Sequence, residues 1–268
     1  MTEQEEGDSR VLGPGVLAHE VQVVDDSAEP VTVGEVPRVA GGAGRATVAA
    51  VVAGIHGIPG SPFTRAVLIV LEEKGAPYRF APVAPGTLKS PEHLARHPFG
   101  RVPVLEQGAF RLYETQAILR YLDRELPGIA LTPRDPQGAA RMDQLMNIND
   151  WYLFHGVGNV IAFQRIVGPR LMGLKPDEAA IAAALPRAGL VFATLARELR
   201  EQPYFLGASP SLADVLLAPQ LDFLSATPEW PGLTAAHPNL EAWMARMRGR
   251  PSLAATTWEC VAQRSRAA

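Results

Sequence analysis

The chain is 268 residues long, 47% hydrophobic and −3 in formal net charge, enough apolar content for one large domain or two small ones. That near-neutral balance, without any basic cluster interleaved with aromatics, argues against a nucleic-acid partner, and no uninterrupted apolar run reaches the roughly 18 residues that would cross a membrane. A single cysteine, Cys260, excludes an internal disulfide framework and a cysteine metal cluster, so no metal is expected.

Charge is uneven along the chain. Residues 1–45 carry nine acids and three arginines, a net −6, which leaves +3 on the rest. With little periodic pattern and a Gly41-Gly42-Ala43-Gly44 end, this stretch is expected to be a disordered acidic extension. Its start, Met-Thr-Glu-Gln-Glu-Glu, lacks the basic and apolar regions of a signal peptide, which points to a cytoplasmic protein. A strand is expected over the apolar run Val48–Ile55. Next comes Ile58-Pro59-Gly60-Ser61-Pro62-Phe63-Thr64-Arg65, then a helical pattern from Ala66 that a lysine and a glycine close at Lys74-Gly75. Ser61 is placed as its N-cap, with Pro62 at the first helical position. A hydroxyl there faces the positive end of the helix dipole and unpaired backbone donors, a place able to hold a thiolate. Serine followed by proline also starts many helices with no catalytic duty.

The segment Arg96-His97-Pro98-Phe99-Gly100-Arg101-Val102-Pro103-Val104-Leu105-Glu106 leads through Gln107-Gly108 to Phe110-Arg111-Leu112-Tyr113, then to Glu114-Thr115 and a helix through Leu122. The order reads strand, glycine turn, strand, helix. Proline cannot donate to a sheet ladder, so Pro103 at a strand start suggests a cis Val102–Pro103 bond that turns the Val102 N–H and C=O outward. Beyond a proline- and glycine-rich linker at 127–138, helical patterns run over Ala139–Phe163, Asp177–Arg200, Ser211–Ser225 and Asn239–Arg248. Ser211-Leu212-Ala213-Asp214 has the form of a capping box, a structural part for Asp214.

Taken in this order and spacing, the Pro-Gly-Ser-Pro-Phe-Thr-Arg start, the His-Pro-Phe-Gly-Arg-Val-Pro segment, the Glu114-Thr115 pair and Ser211–Pro219 resemble the glutathione S-transferase family over residues 46 to about 262. The likeness is to bacterial, serine-type members with a phi-like start. It implies a thioredoxin-like α/β domain at 46–126 and an all-α substrate domain at 139–268, usually paired as a homodimer with a detoxifying role. In such members a serine like Ser61 donates to the sulfur of glutathione, the co-substrate. Glu114 and Thr115 match the pair that takes its γ-glutamyl end, Val102 the backbone contact to its cysteinyl unit, and Pro103 the cis-proline. Lys89 and Arg101 are the bases placed to reach its glycine carboxylate. The electrophile pocket is expected along Asp150–Gly156, with Trp151, Tyr152 and His155 on its wall and Phe163 further along, and with Gly156 and Gly158 loosening that helix locally to shape the pocket.

The chain departs from other members of the family. Ile55-His56-Gly57 offers no tyrosine where many relatives have one, and His56 reads as a packing or surface residue. Gly60 and Pro62 flank Ser61, so no thiol stands where cysteine-type relatives need one. The function implied is transfer of the glutathione thiolate to a small apolar electrophile. Glutathione-dependent peroxide reduction, isomerisation or dehalogenation is an alternative at the same site, and a non-catalytic interaction module is another.

Overall fold

The computed structural model describes residues 53–267. The expected extension at 1–45 and most of the expected strand at Val48–Ile55 lie outside them. The first elements are β1 (Ala53–Gly57), α1 (Pro62–Glu73), β2 (Tyr78–Pro82), α2 (Pro91–Leu94), β3 (Val104–Gln107), β4 (Phe110–Tyr113) and α3 (Thr115–Glu125). The strands form one sheet in the order β2-β1-β3-β4, in which β1 runs parallel to β2 and antiparallel to β3, and β3 pairs antiparallel with β4. Ile55 pairs with Phe80 on one side and Leu105 on the other, and Leu105 pairs with Leu112. This mixed sheet with its helices is a thioredoxin-like α/β layer.

All eight residues from Thr64 to Leu71 in α1 are buried. A helix apolar all round must be covered on every side, and here the sheet and α3 cover one side and the helical half the other. That half comprises α4 (Pro136–Ile148), a helical segment Asn149–Val167, α5 (Gly168–Met172), α6 (Glu178–Leu199), α7 (Leu212–Ser225), α8 (Trp230–Thr234), α9 (Pro238–Arg248), α10 (Pro251–Ala255) and α11 (Trp258–Ala267). α7 and α10 pack on α1. Ion pairs fasten the same contact: Arg65 donates to Asp222 at 2.6 Å and to Leu253 O at 3.0 Å, and Arg250 grips Glu73 at 2.7 and 2.6 Å.

Asp214 has the structural part its spacing suggested. Its carboxylate accepts from Ser211 N and Oγ, Phe205 N and Trp243 Nε1, all within 3.0 Å. Burial pushes its pKa up, opposed by those donors. One sequence expectation needs correction. Helix Ala139–Phe163 is not continuous: His155 is extended and Gly156 takes φ 84°, a left-handed value that glycine adopts without a Cβ penalty. Asn159 Oδ1 then accepts from Gly156 N at 2.7 Å and restarts the helix in a new direction. Helix α6 is also long and apolar enough to cross a membrane, with mean hydropathy 1.7. Four charged residues interrupt it, and in the fold it buries Ile181, Ala188, Phe192 and Leu195 against the helical core.

Candidate active site

Two adjoining cavities open where the halves meet. The first, about 430 Å³, is the more polar of the two, lined by Arg101, Glu114, Thr115, Gln116 and Asp150 together with His97, Phe99, Val102, Pro103, Trp151 and His155. The Val102–Pro103 bond is cis. Glu114 sits at φ 71° immediately before α3, and Thr115 is that helix's first residue. A left-handed φ in a non-glycine residue costs about 1–2 kcal/mol. It is a conformation to expect where a site fixes a side chain. Gln116 crosses to the helical half and donates to Asp150 Oδ2 at 2.7 Å. His97 is buried and its Nδ1 has no partner. Burial, then the charges of His93 and Arg101, hold it below the usual histidine pKa.

The second cavity, about 300 Å³, is apolar. Ser61 stands on its wall at the N-cap of α1, where its Oγ accepts from Thr64 N at 3.3 Å. That bond engages an oxygen lone pair and leaves the hydroxyl proton free to be donated outward. Ala162, Phe163, Val167 and Leu171 form one side, Phe223 and Trp258 the other. Phe63 and Phe154 belong to both cavities and meet edge to face, 4.8 Å between ring centres, so they form the partition between them.

Several expected positions shift. Trp151 and His155 line the polar cleft, not the cavity of Ser61, and Tyr152, 55% exposed, lines neither. Beyond the break at His155-Gly156, Gly158, Ala162 and Phe163 line the cavity of Ser61. Lys89 is not on the cleft wall; its ammonium donates to Phe99 O at 3.1 Å. His56 bonds Glu106 at 2.8 Å, outside both cavities, and Cys260 on α11 lines neither. Gln220, Phe223 and Trp258 were missed. Only their apolar surroundings marked them in the sequence, as they would any core residue. Trp258 reaches the site from the chain's far end: its ring covers Gly60, where a Cβ would lie 2.3 Å away. The Arg170 guanidinium lies 3.9 Å above the same ring.

The chain matches the family models described as glutathione S-transferase N-terminal domain, over residues 55–129, and C-terminal domain, over 157–251. It is 32% identical to glutathione S-transferase 3 of Zea mays over 200 residues, 73% of this chain and 89% of that protein. Among solved structures it is similar to glutathione S-transferase III in apo form, at TM-score 0.68 and 32% identity, covering 76% of this chain and 95% of the other. It is also similar to glutathione S-transferase-I bound with lactoylglutathione, at TM-score 0.68 and 29% identity, covering 79% and 99%. The maize relative lends no support to the bacterial subgroup that the motifs suggested.

Proposed function

The chain belongs to the glutathione S-transferase family, and we propose that it joins the thiolate of glutathione to a small apolar electrophile, with Ser61 as the thiolate's hydrogen-bond donor. The observation that carries this reading is the pairing of the two cavities. A polar cleft with a carboxylate and a helix start at one end adjoins an apolar pocket that has a capping hydroxyl on its wall. A tripeptide with two carboxylates, an ammonium and one thiol fits the first, and an uncharged electrophile fits the second.

Glu114 pairs its carboxylate with the γ-glutamyl ammonium, and the Thr115 hydroxyl and the backbone N–H groups opening α3 take the γ-glutamyl carboxylate. The Val102 backbone pairs with the cysteinyl unit as a strand would. Arg101 faces the glycine carboxylate. Lys89 serves that group only if it leaves Phe99 O. The sulfur then reaches past Phe63 to Ser61. A free thiol with pKa near 8.5 is about 3% ionised at pH 7. A fall of about two units, worth roughly 2.7 kcal/mol, would ionise three-quarters of it. The Ser61 O–H and the dipole of α1 are the available sources of that stabilisation. Part of the gain is returned, because thiolates lose nucleophilicity as their pKa falls, so placing the electrophile in the second pocket supplies much of the rate.

The same reading takes 46–126 as the glutathione-binding domain and 139–268 as the substrate domain, in a cytoplasmic homodimer. Calorimetric titration with glutathione, followed by turnover against halo-aromatics, hydroperoxides and epoxides, tests the assignment. Binding followed by conjugation supports it. Turnover of hydroperoxides alone would move the chain to the peroxidase reading, and no binding would overturn both.

A further inference from the structure

Trp258 is the largest side chain on the wall of the apolar pocket beside Ser61, and it is half-buried. Two of its contacts belong to that wall: the ring covers Gly60 and meets Phe223 edge to face, 6.2 Å between centres. The third does not. Arg170, whose guanidinium lies 3.9 Å above the ring, lines no part of the cavity, although Val167 and Leu171 beside it do. Its Nη1 also donates to Glu259 Oε1 at 2.9 Å, the residue after Trp258, and among the described residues it makes no other hydrogen bond or ion pair. One side chain on α5 thus holds both the ring and the turn of α11 that carries it, and so ties one wall of the pocket to the other. The ion pair is weak on its own, because the Arg170 and Glu259 side chains are 45% and 67% exposed. A guanidinium over an indole face adds attraction even at an exposed site.

Building on the transferase reading, we propose that Arg170 is a positioning residue that acts through Trp258: by fixing the indole across the apolar pocket, it makes the pocket select single-ring electrophiles over fused-ring ones. The cavity, about 300 Å³, is at the lower end for a small-molecule site, and the Trp258 ring is the part of its wall that an exposed, breakable contact holds in place. With the ring fixed, a single aromatic ring packs against it and is presented to the sulfur near Ser61. With the ring released, the pocket widens, the small electrophile loses that contact and the larger one gains room. Benzyl chloride and 2-(chloromethyl)naphthalene are the matched pair. Both react alike: the glutathione sulfur forms a C–S bond at the CH₂ carbon as the C–Cl bond breaks and chloride leaves.

The test compares kcat/KM for the two chlorides at saturating glutathione, in the wild type and in Arg170→Met, which keeps an unbranched stem and removes the charge. The ratio of benzyl to naphthylmethyl chloride should fall about fivefold, the scale of one cation–π contact. The change should lie in the KM for electrophile, with the KM for glutathione unmoved. Arg170→Lys, which keeps a cation over the ring, should restore most of the ratio. Glu259→Lys, which repels the guanidinium from outside the pocket, should move the ratio in the same direction as Arg170→Met and serves in its place if that variant does not fold. In a Trp258→Ala background, Arg170→Met should change the ratio no further, because the residue acts through the ring. A side chain that only staples α5 to α11 would lower the melting temperature and both rates together. An unchanged ratio in Arg170→Met and Glu259→Lys, or a shift that persists without Trp258, overturns the positioning role and leaves the transferase reading in place. No turnover of either chloride by a wild type that binds glutathione overturns both.

Discussion

Replacing Glu114 by alanine separates recognition from chemistry. The side chain is held by a left-handed backbone at the mouth of α3 and lines the polar cleft, away from Ser61. Its loss should weaken glutathione binding by about 2 kcal/mol, the scale of one charged hydrogen bond, with kcat at saturation little changed. Titration calorimetry and steady-state kinetics check both halves, and normal affinity in the variant would mean that the γ-glutamyl end sits elsewhere. A second single-residue test concerns Gly60. Its φ is 88° and the Trp258 ring fills the space where a side chain would grow. Gly60→Ala should displace Trp258, cost about 1–3 kcal/mol of stability and raise the KM for electrophile more than that for glutathione. Equal effects on the two KM values would show that Trp258 does not close the electrophile pocket.

Helix α1 ties the site to the fold. Its Glu73 accepts from Arg250 and Ser252 of the helical half. Burial raises this carboxyl's pKa, but those bonds and the Arg250 charge outweigh burial and hold it below the ordinary 4.5. A depressed folded value means that the pair stabilises fully above the unfolded pKa and that this stability is lost as pH falls through the folded one. Glu73→Gln should therefore lower stability by about 2–3 kcal/mol at neutral pH. The difference from wild type should shrink as denaturant melts are repeated from pH 5 downward, and a constant difference would refute the ion pair. This helix was legible in the sequence because its signals are local: Ser61, Pro62 and the closing Lys74-Gly75 fall within fifteen residues. β3, β4 and the α7 cap were legible for the same reason. Strand β2 was not, being a short edge strand, Tyr78–Pro82, that ends in proline. Nor was α11, whose importance lies in a contact between Trp258 and Gly60 that no local pattern encodes. The pocket wall was only partly legible: Gly156 marked a loosening of the helix, but not that the chain would turn there at φ 84°.

At the scale of the molecule, several large apolar side chains are exposed among the described residues. Trp151 is 65% and Leu190 70% exposed, and Arg187 of α6 donates to Trp151 O at 2.8 Å. Single exposed apolar side chains are ordinary on a surface, so a second copy is proposed here on the family resemblance alone. Sedimentation equilibrium should give twice the chain mass of 28.8 kDa, and Leu190→Glu should shift the protein toward monomer. A wild type that stays monomeric at micromolar concentration contradicts the homodimer. Both cavities are built from the two halves of one chain, so each subunit should still bind glutathione in the monomeric variant.

The central claim is that a glutathione thiol held in the polar cleft ends at Ser61 and is ionised there. Ultraviolet titration of the bound thiolate, in the wild type and in Ser61→Ala, tests it most directly. The account predicts a bound-thiol pKa well below the free value of about 8.5 in the wild type. In the variant it should rise by about 1–2 units, the scale of one charge-assisted hydrogen bond, with glutathione affinity nearly unchanged. The same pKa in both proteins would contradict it.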